Sequence, residues 1–440
     1  MKPRLALRSE HDTAIAKLAV PALGTLIAEP LYVLTDTAIV GRIGTDELAG
    51  LALASTVLLT AHAVLIFLAY GTTAAVSRLI GAGQVRDAAN RSVQALWLAI
   101  GFGIAVIAIV AAFGTPLLRL LGGDGAVLEA AELYLGVSIW GFPFLLLMMS
   151  AGGSFYGRQN TVTPLVLAVA GAVANLVIEV VLIYGFGYGL GASALSTVIA
   201  QTVTGLIAVV IVLRWAATEG VGPRPNWTTM RSLLNAGKAL VVRTVALRGS
   251  FTLSAAVAAR IGVAELAAHQ VVLQVWGTLA LALDAVAIAG QSLTGNYLGA
   301  GDIDRARGAA RRMIELDVVF GIVAGLAIVV ARRPIAELFS TDPDVVAVTA
   351  FILLFVAVQQ PVNSVVFALD GILIGAGDLT YLAQTMVIST VIFAVLAVAV
   401  LLTGAGLGWL WAALGCFMVL RAGFMWRRWR DDVWLVTGAV

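Results

Sequence analysis

Apolar residues run along this chain in blocks, parted by short stretches where Arg, Asp, Gly and Pro collect. A bilayer-crossing helix needs roughly 20 mostly apolar residues. Twelve blocks meet that requirement, near 15–38, 49–71, 93–113, 131–150, 162–184, 190–213, 234–258, 266–289, 313–331, 346–368, 381–402 and 407–426. Several are rich in Gly, Ala and Thr, which suits helices packed closely on one another. The predicted fold class is therefore all-α and polytopic, with twelve transmembrane helices.

Composition points the same way. Of 440 residues, 60% are hydrophobic and 12% charged, where a soluble domain carries about 25% charged residues. The net charge of +2 argues against nucleic acid as a partner. One cysteine, Cys416, excludes a disulfide framework, and three scattered histidines make a conventional metal site unexpected. The opening residues, MKPRLALRSEHDT, lack the short apolar core of a signal peptide, so the first span is expected to direct insertion itself.

The loops alternate in charge. One side carries Lys2, Arg4, Arg8, Arg78, Arg86, Arg91, Arg158, Arg214, Arg224, Arg231, Lys238, Arg305, Arg307, Arg311, Arg312, Arg427, Arg428 and Arg430. The other carries Arg42, Arg119, Arg260, Arg332 and Arg333, diluted by Asp124, Glu129 and Glu132. By the positive-inside rule both termini are cytoplasmic, in the inner membrane of a bacterial-type cell.

The chain also repeats itself. "AIVGRIGTDELAG" (38–50) matches "AVAARIGVAELAA" (256–268), setting Arg42 on Arg260, 218 positions later. The same offset sets "GAG" at 81–83 on 299–301, Pro116 on Pro334, Pro143 on Pro361 and Gly157 on Gly375. Six spans per repeat, an even number, make the repeat parallel, as in transporters with a cleft between two lobes. The expected organisation is an N-lobe (1–213), a cytoplasmic linker (214–238) and a C-lobe (239–440).

Acids inside such spans are costly unless paired, protonated or wetted, so each marks a candidate site. Asp36 lies seven residues after Glu29, on one helix face, with Tyr32 between them and Pro30 placed to let the helix bend. Glu29 reads either as a cavity-lining group or as an interface residue. Asn175 and Glu179 stand four apart on span 5, and Thr197 lies in span 6. Tyr134 either closes a cluster with these residues or anchors at the interface, and Gln201 is either a cavity donor or an interhelical one. In the second half, Arg248 lies deep in span 7 and is expected to pair with Asp370 or Asp284, as a permanent lock or as part of transport. Arg243 is placed to snorkel, and His269 either titrates or bonds across an interface.

Taken together, "LTDTAIVGRIG", "LAAHQ" (266–270), the two "GAG" loops, "RTVALRG" (243–249) and "FALDGILIGAGD" (367–378) resemble the multidrug and toxic compound extrusion (MATE) family, DinF-like branch. The likeness covers nearly the whole chain. It implies cation-coupled efflux by alternating access, with Asp36, Asn175, Thr197 and an acid in span 5 forming a proton site; that acid is Glu179 here, where Asp is usual. The implied function is export of organic cationic or amphipathic compounds in exchange for protons. A lipid-linked oligosaccharide flippase and sodium coupling are the alternatives. No cofactor or metal is expected, the partners being a small-molecule substrate and the lipid bilayer, and a monomer is the expected state. An enzyme is not expected, since HExxH and GxSxG are absent from the sequence.

Overall fold

The computed structural model describes residues 9–439. Lys2, Arg4 and Arg8 of the charge count lie outside that range. Among the described residues there is no strand, and twelve helices are long and apolar enough to cross a membrane. They are α1 (Asp12–Val40), α2 (Thr45–Gly81), α3 (Val85–Leu120), α4 (Gly125–Gly157), α5 (Val162–Gly185), α6 (Leu190–Thr218), α7 (Trp227–Ile261), α8 (Val263–Gly299), α9 (Ile303–Phe339), α10 (Pro343–Gly375), α11 (Leu379–Thr403) and α12 (Leu407–Arg430). The protein is an all-α, multi-pass membrane protein.

Most helices outrun the apolar blocks that announce them. The block at 93–113 sits inside a helix running from Val85 to Leu120, and the block at 49–71 inside one reaching Gly81. The added turns carry Arg78, Arg86, Arg91 and Arg119. Arginine lowers a hydropathy average without opposing the helix. Three helices are interrupted. α2 breaks at Ile66, α4 passes through a 3₁₀ turn at Ile139–Gly141, and α5 ends in a π-helical turn at Val181–Gly185. At the second break Pro143 has no N–H for the carbonyl of Ile139, which explains the loosened turn.

The helices gather into two compact units. One is Pro21–Gly237; the other is Lys238–Gly438 with the described residues before Pro21. Within the first, α4 packs on α2, α3 and α6. Val40, Leu51, Leu118, Leu135 and Leu190 form one of its apolar clusters. Within the second, α10 packs on α8, α9 and α12. The first turn of α1 is held there by Arg312, whose Nε and Nη2 donate to Asp12 at 2.6 and 3.0 Å. Of residues 214–238, only 219–226 are non-helical, because α6 continues to Thr218 and α7 begins at Trp227. Gln94 of α3 holds this short crossing, donating to the Arg224 carbonyl at 3.1 Å and accepting the Asn226 N–H at 2.7 Å. Trp97 adds a bond to the Pro223 carbonyl at 2.7 Å.

The repeat in sequence is a repeat in helix boundaries. α2 starts at Thr45 and α8 at Val263, while α4 ends at Gly157 and α10 at Gly375, each pair 218 positions apart. The glycines explain part of the constraint. Gly83 and Gly301 both take a left-handed turn, at φ +74° and +77°, which other residues resist. A Cβ on Gly153 would stand 2.5 Å from the Ala69 carbonyl oxygen, and one on Gly371 would collide with that of Ala287. Small residues four apart, Gly153/Gly157 and Gly371/Gly375, thus let α4 meet α2 and α10 meet α8 backbone to backbone. Gly371→Ala is expected to cost about 1–3 kcal/mol, the usual range for overpacking, because the obstructing atoms are main-chain. Gly249→Ala, with nothing within 4 Å of the added carbon, is expected to be neutral or stabilising by up to about 1 kcal/mol. Thermal melting in detergent measures both. Equal midpoints would contradict the packing.

Candidate functional site

One cluster of buried polar side chains in the first unit draws on four helices. Asp36 of α1 is 5% exposed, and the Ser193 hydroxyl of α6 donates to its Oδ1 at 2.5 Å. Glu179 of α5 is fully buried, and its carboxyl lies beside those of Asp36 and the Ser193 hydroxyl. Among the described residues neither of its oxygens receives a hydrogen bond. Tyr134 of α4 is buried with its hydroxyl among Asp36, Thr197 and Ser193. Its hydroxyl thus closes the cluster, on a helix that starts at Gly125. Tyr32 shares a bond of 2.6 Å with the Thr197 hydroxyl.

Asn175 donates to Ser196 and Thr197, both at 3.2 Å, and not to Asp36. The hydroxyls of Ser196 and Thr197 donate in turn to the Ser193 carbonyl at 2.8 and 3.1 Å. These bonds hold the turn of α6 that presents Ser193, so Asn175 and Thr197 act on Asp36 through Ser193. Ser193 was legible in the sequence, four residues before Thr197 on the same helix face. Two residues left with open alternatives stay outside this cluster. Glu29 is exposed, and Gln201 sets its amide oxygen against the backbone of Gly141. Immediately after Glu179, the N–H of Phe186 reaches the Val181 carbonyl at 3.2 Å, a wide π turn of the kind found at functional positions.

What this cluster does chemically follows from its charges. It holds two carboxyls and two phenols, and among the described residues no Lys or Arg forms an ion pair with either acid. At an effective dielectric near 20, two like charges about 4 Å apart repel by about 4 kcal/mol. A neutral hydrogen bond returns only about 1 kcal/mol. Two ionised carboxylates in such a setting are therefore costly, since no basic group offsets their repulsion.

The second unit corrects the expected ion pair. Arg248 is exposed and joins no ion pair among the described residues. Arg243, expected to snorkel, points inward: its Nε and Nη2 donate to Asp370 at 3.3 and 2.6 Å. Arg421 of α12, which hydropathy alone passes over, donates to the same carboxylate at 2.6 Å. Asp370 so ties α7 and α12 to α10, with all three groups buried. A lone Arg in the middle of a span was the available signal. Arg243 and Arg248 are five apart, about 140° around a helix, so only one can face Asp370. Asp284 is half-buried, and its charge acts on Asp317 of α9. His269 is fully buried, with Nε2 3.2 Å from the Ser254 hydroxyl, as the interface reading has it.

Comparison with known proteins agrees with this architecture. The family model described as MatE matches residues 21–181 and 240–399, one stretch in each unit. The chain is 34% identical over 423 residues to Protein DETOXIFICATION 44, chloroplastic, of Arabidopsis thaliana, covering 92% of this chain and 80% of that protein. To DNA damage-inducible protein F of Escherichia coli (strain K12) it is 30% identical over 449 residues, covering 98% and 95%. The solved structure of a MOP superfamily transporter from Pyrococcus furiosus superposes with a TM-score of 0.88 at 21% identity over 99% of each chain, a likeness of fold. With matches over both halves, the chain belongs to the MatE family of multidrug and toxic compound extrusion transporters.

Proposed function

We propose that this protein is a proton-coupled antiporter that exports organic cationic or amphipathic compounds across the inner membrane. The observation that carries the reading is the pair of buried carboxyls, Asp36 and Glu179, set side by side on α1 and α5 with a hydroxyl donor and no basic partner. A proton gained from outside neutralises the pair and frees Ser193 from a charge-assisted bond, which is stronger than a neutral one. Pro30 and Pro21 remove backbone hydrogen bonds from α1, so that helix is the element able to answer the change by bending. Loss of the proton toward the cytoplasm restores the bond and resets the helix. Everted vesicles loaded by a pH gradient are expected to accumulate a cationic fluorescent dye. Accumulation driven by a sodium gradient, and not by a pH gradient, would overturn proton coupling.

The same reading places both termini and residues 219–226 in the cytoplasm. Gly222 is exposed in that crossing, with open space around it. In a Cys416→Ala background, Gly222→Cys is expected to resist an impermeant maleimide in intact cells and to react in inverted vesicles. Labelling from outside would reverse the topology.

A further inference from the structure

The second unit holds an acid pair of its own. Asp317 lies within the span of α9, is 1% exposed, and its Oδ2 receives no hydrogen bond. Helix α9 packs on α8 and α10. From α8 the charged group facing Asp317 is Asp284, another carboxyl. From α10 the nearest acid is Asp370, already engaged by Arg243 and Arg421. On α9 itself Arg311 and Arg312 are engaged by Glu315 and Asp12. Asp317 therefore has a like charge for a neighbour, while the two arginines nearest it on α9 are turned to other acids.

The seam beside it is polar and unsatisfied. Gly325 rests on the Ala357 carbonyl, and Gly321 on the Gln360 carbonyl and the Ser364 hydroxyl, so α9 and α10 run antiparallel in this register. One turn before Gly321, Asp317 comes opposite the turn of α10 that holds Asn363 and Ser364. Gln360 and Asn363 are each 1% exposed, and among the described residues none of their four side-chain polar atoms has a hydrogen-bond partner. Buried amides in native interiors are met by protein, water or an ion, and here no protein group meets them.

We propose that Asp317 and Asp284 form a second proton-carrying pair, reached through a hydrated seam lined by Gln360 and Asn363. The inference rests on the proton-coupled reading above and extends it: each unit binds a proton of its own, at positions the repeat does not relate. Taking up the proton converts one carboxylate to a carboxylic acid at the expense of a hydronium ion, with no other bond changed. The two acids titrate as a pair, whichever oxygen holds the proton.

Infrared difference spectra of the purified full-length protein, stepped between alkaline and acidic pH, test this, since buried carboxylic acids absorb apart from solvated ones. In an Asp36→Asn/Glu179→Gln background, a band from a protonated buried carboxyl is expected to remain. Adding Asp317→Asn is expected to remove it, and adding Asp317→Glu, which keeps a titratable group, to retain it at a shifted frequency. A background band unchanged by Asp317→Asn would overturn the proposal, as would the absence of any pH-dependent band in that background. A background spectrum identical to wild type would instead sink the Asp36–Glu179 reading alone, so the two failures are told apart.

Discussion

Asp36→Asn is expected to abolish proton-driven export, down to the level of vesicles without the protein, and to leave the fold intact. The amide keeps the shape of the carboxyl, and its oxygen still accepts from Ser193, now 2.5 Å from Asp36 Oδ1. Its new N–H group faces Glu179, whose two oxygens are buried and unmet. Stability is thus preserved or raised while titration at this position is lost. Glu179→Gln removes only the second member of the pair and is expected to give a milder defect. Ser193→Ala leaves Asp36 without its hydroxyl donor, a loss of about 1.5–3 kcal/mol for a bond to a charged group, and is expected to impair coupling without abolishing it. Dye efflux under an imposed pH gradient, with melting curves on the same preparations, checks all three. Wild-type transport by a well-folded Asp36→Asn protein would remove Asp36 from the coupling site.

The largest loss of stability is expected at Asp370. Its carboxylate holds Arg243 and Arg421, each through a bond of 2.6 Å, with all three side chains buried. Asp370→Asn leaves two guanidinium groups facing each other without a counter-charge. Removing one partner of a buried ion pair costs about 3–5 kcal/mol, where surface changes stay within about 0.5 kcal/mol. The melting midpoint should fall steeply for Asp370→Asn and barely move for Arg248→Ala, whose side chain is exposed. Adding Arg421→Met to Asp370→Asn should recover part of the loss by removing one uncompensated charge. If Arg248→Ala proves the more damaging variant, the pairing described here is wrong. Gln359, which donates to the Trp411 carbonyl at 2.9 Å, ties α10 to α12 independently and is expected to keep those helices associated in the variants.

Much of this protein is readable in its residue order. Twelve apolar blocks, their alternating flanks and a 218-residue repeat announce twelve helices in two related halves, because burial of backbone polar groups in lipid leaves little choice but the helix. The same offset predicts paired glycines, and Gly83 and Gly301 do adopt the same left-handed turn. Asp36, Asn175, Glu179 and Thr197 also stand out, since a polar group in an apolar span has to be explained by something. Partner choice is another matter. Spacing puts Asn175 within a turn of Glu179 but does not say that Asn175 bonds to Thr197 while Ser193 serves Asp36. Nor does it say that Arg243 and Arg421 converge on Asp370 while Arg248 turns away. The repeat itself misleads here. One offset beyond Asp36, Glu179 and Ser193 stand Ser254, Ala397 and Trp411, so the backbone recurs and the chemistry does not. Hydropathy and periodicity are properties of one helix, fixed by its own residues. Which carboxyl meets which donor depends on the rotation and depth at which helices distant in the chain pack, and close-packed glycine and side-chain contacts between those helices decide both.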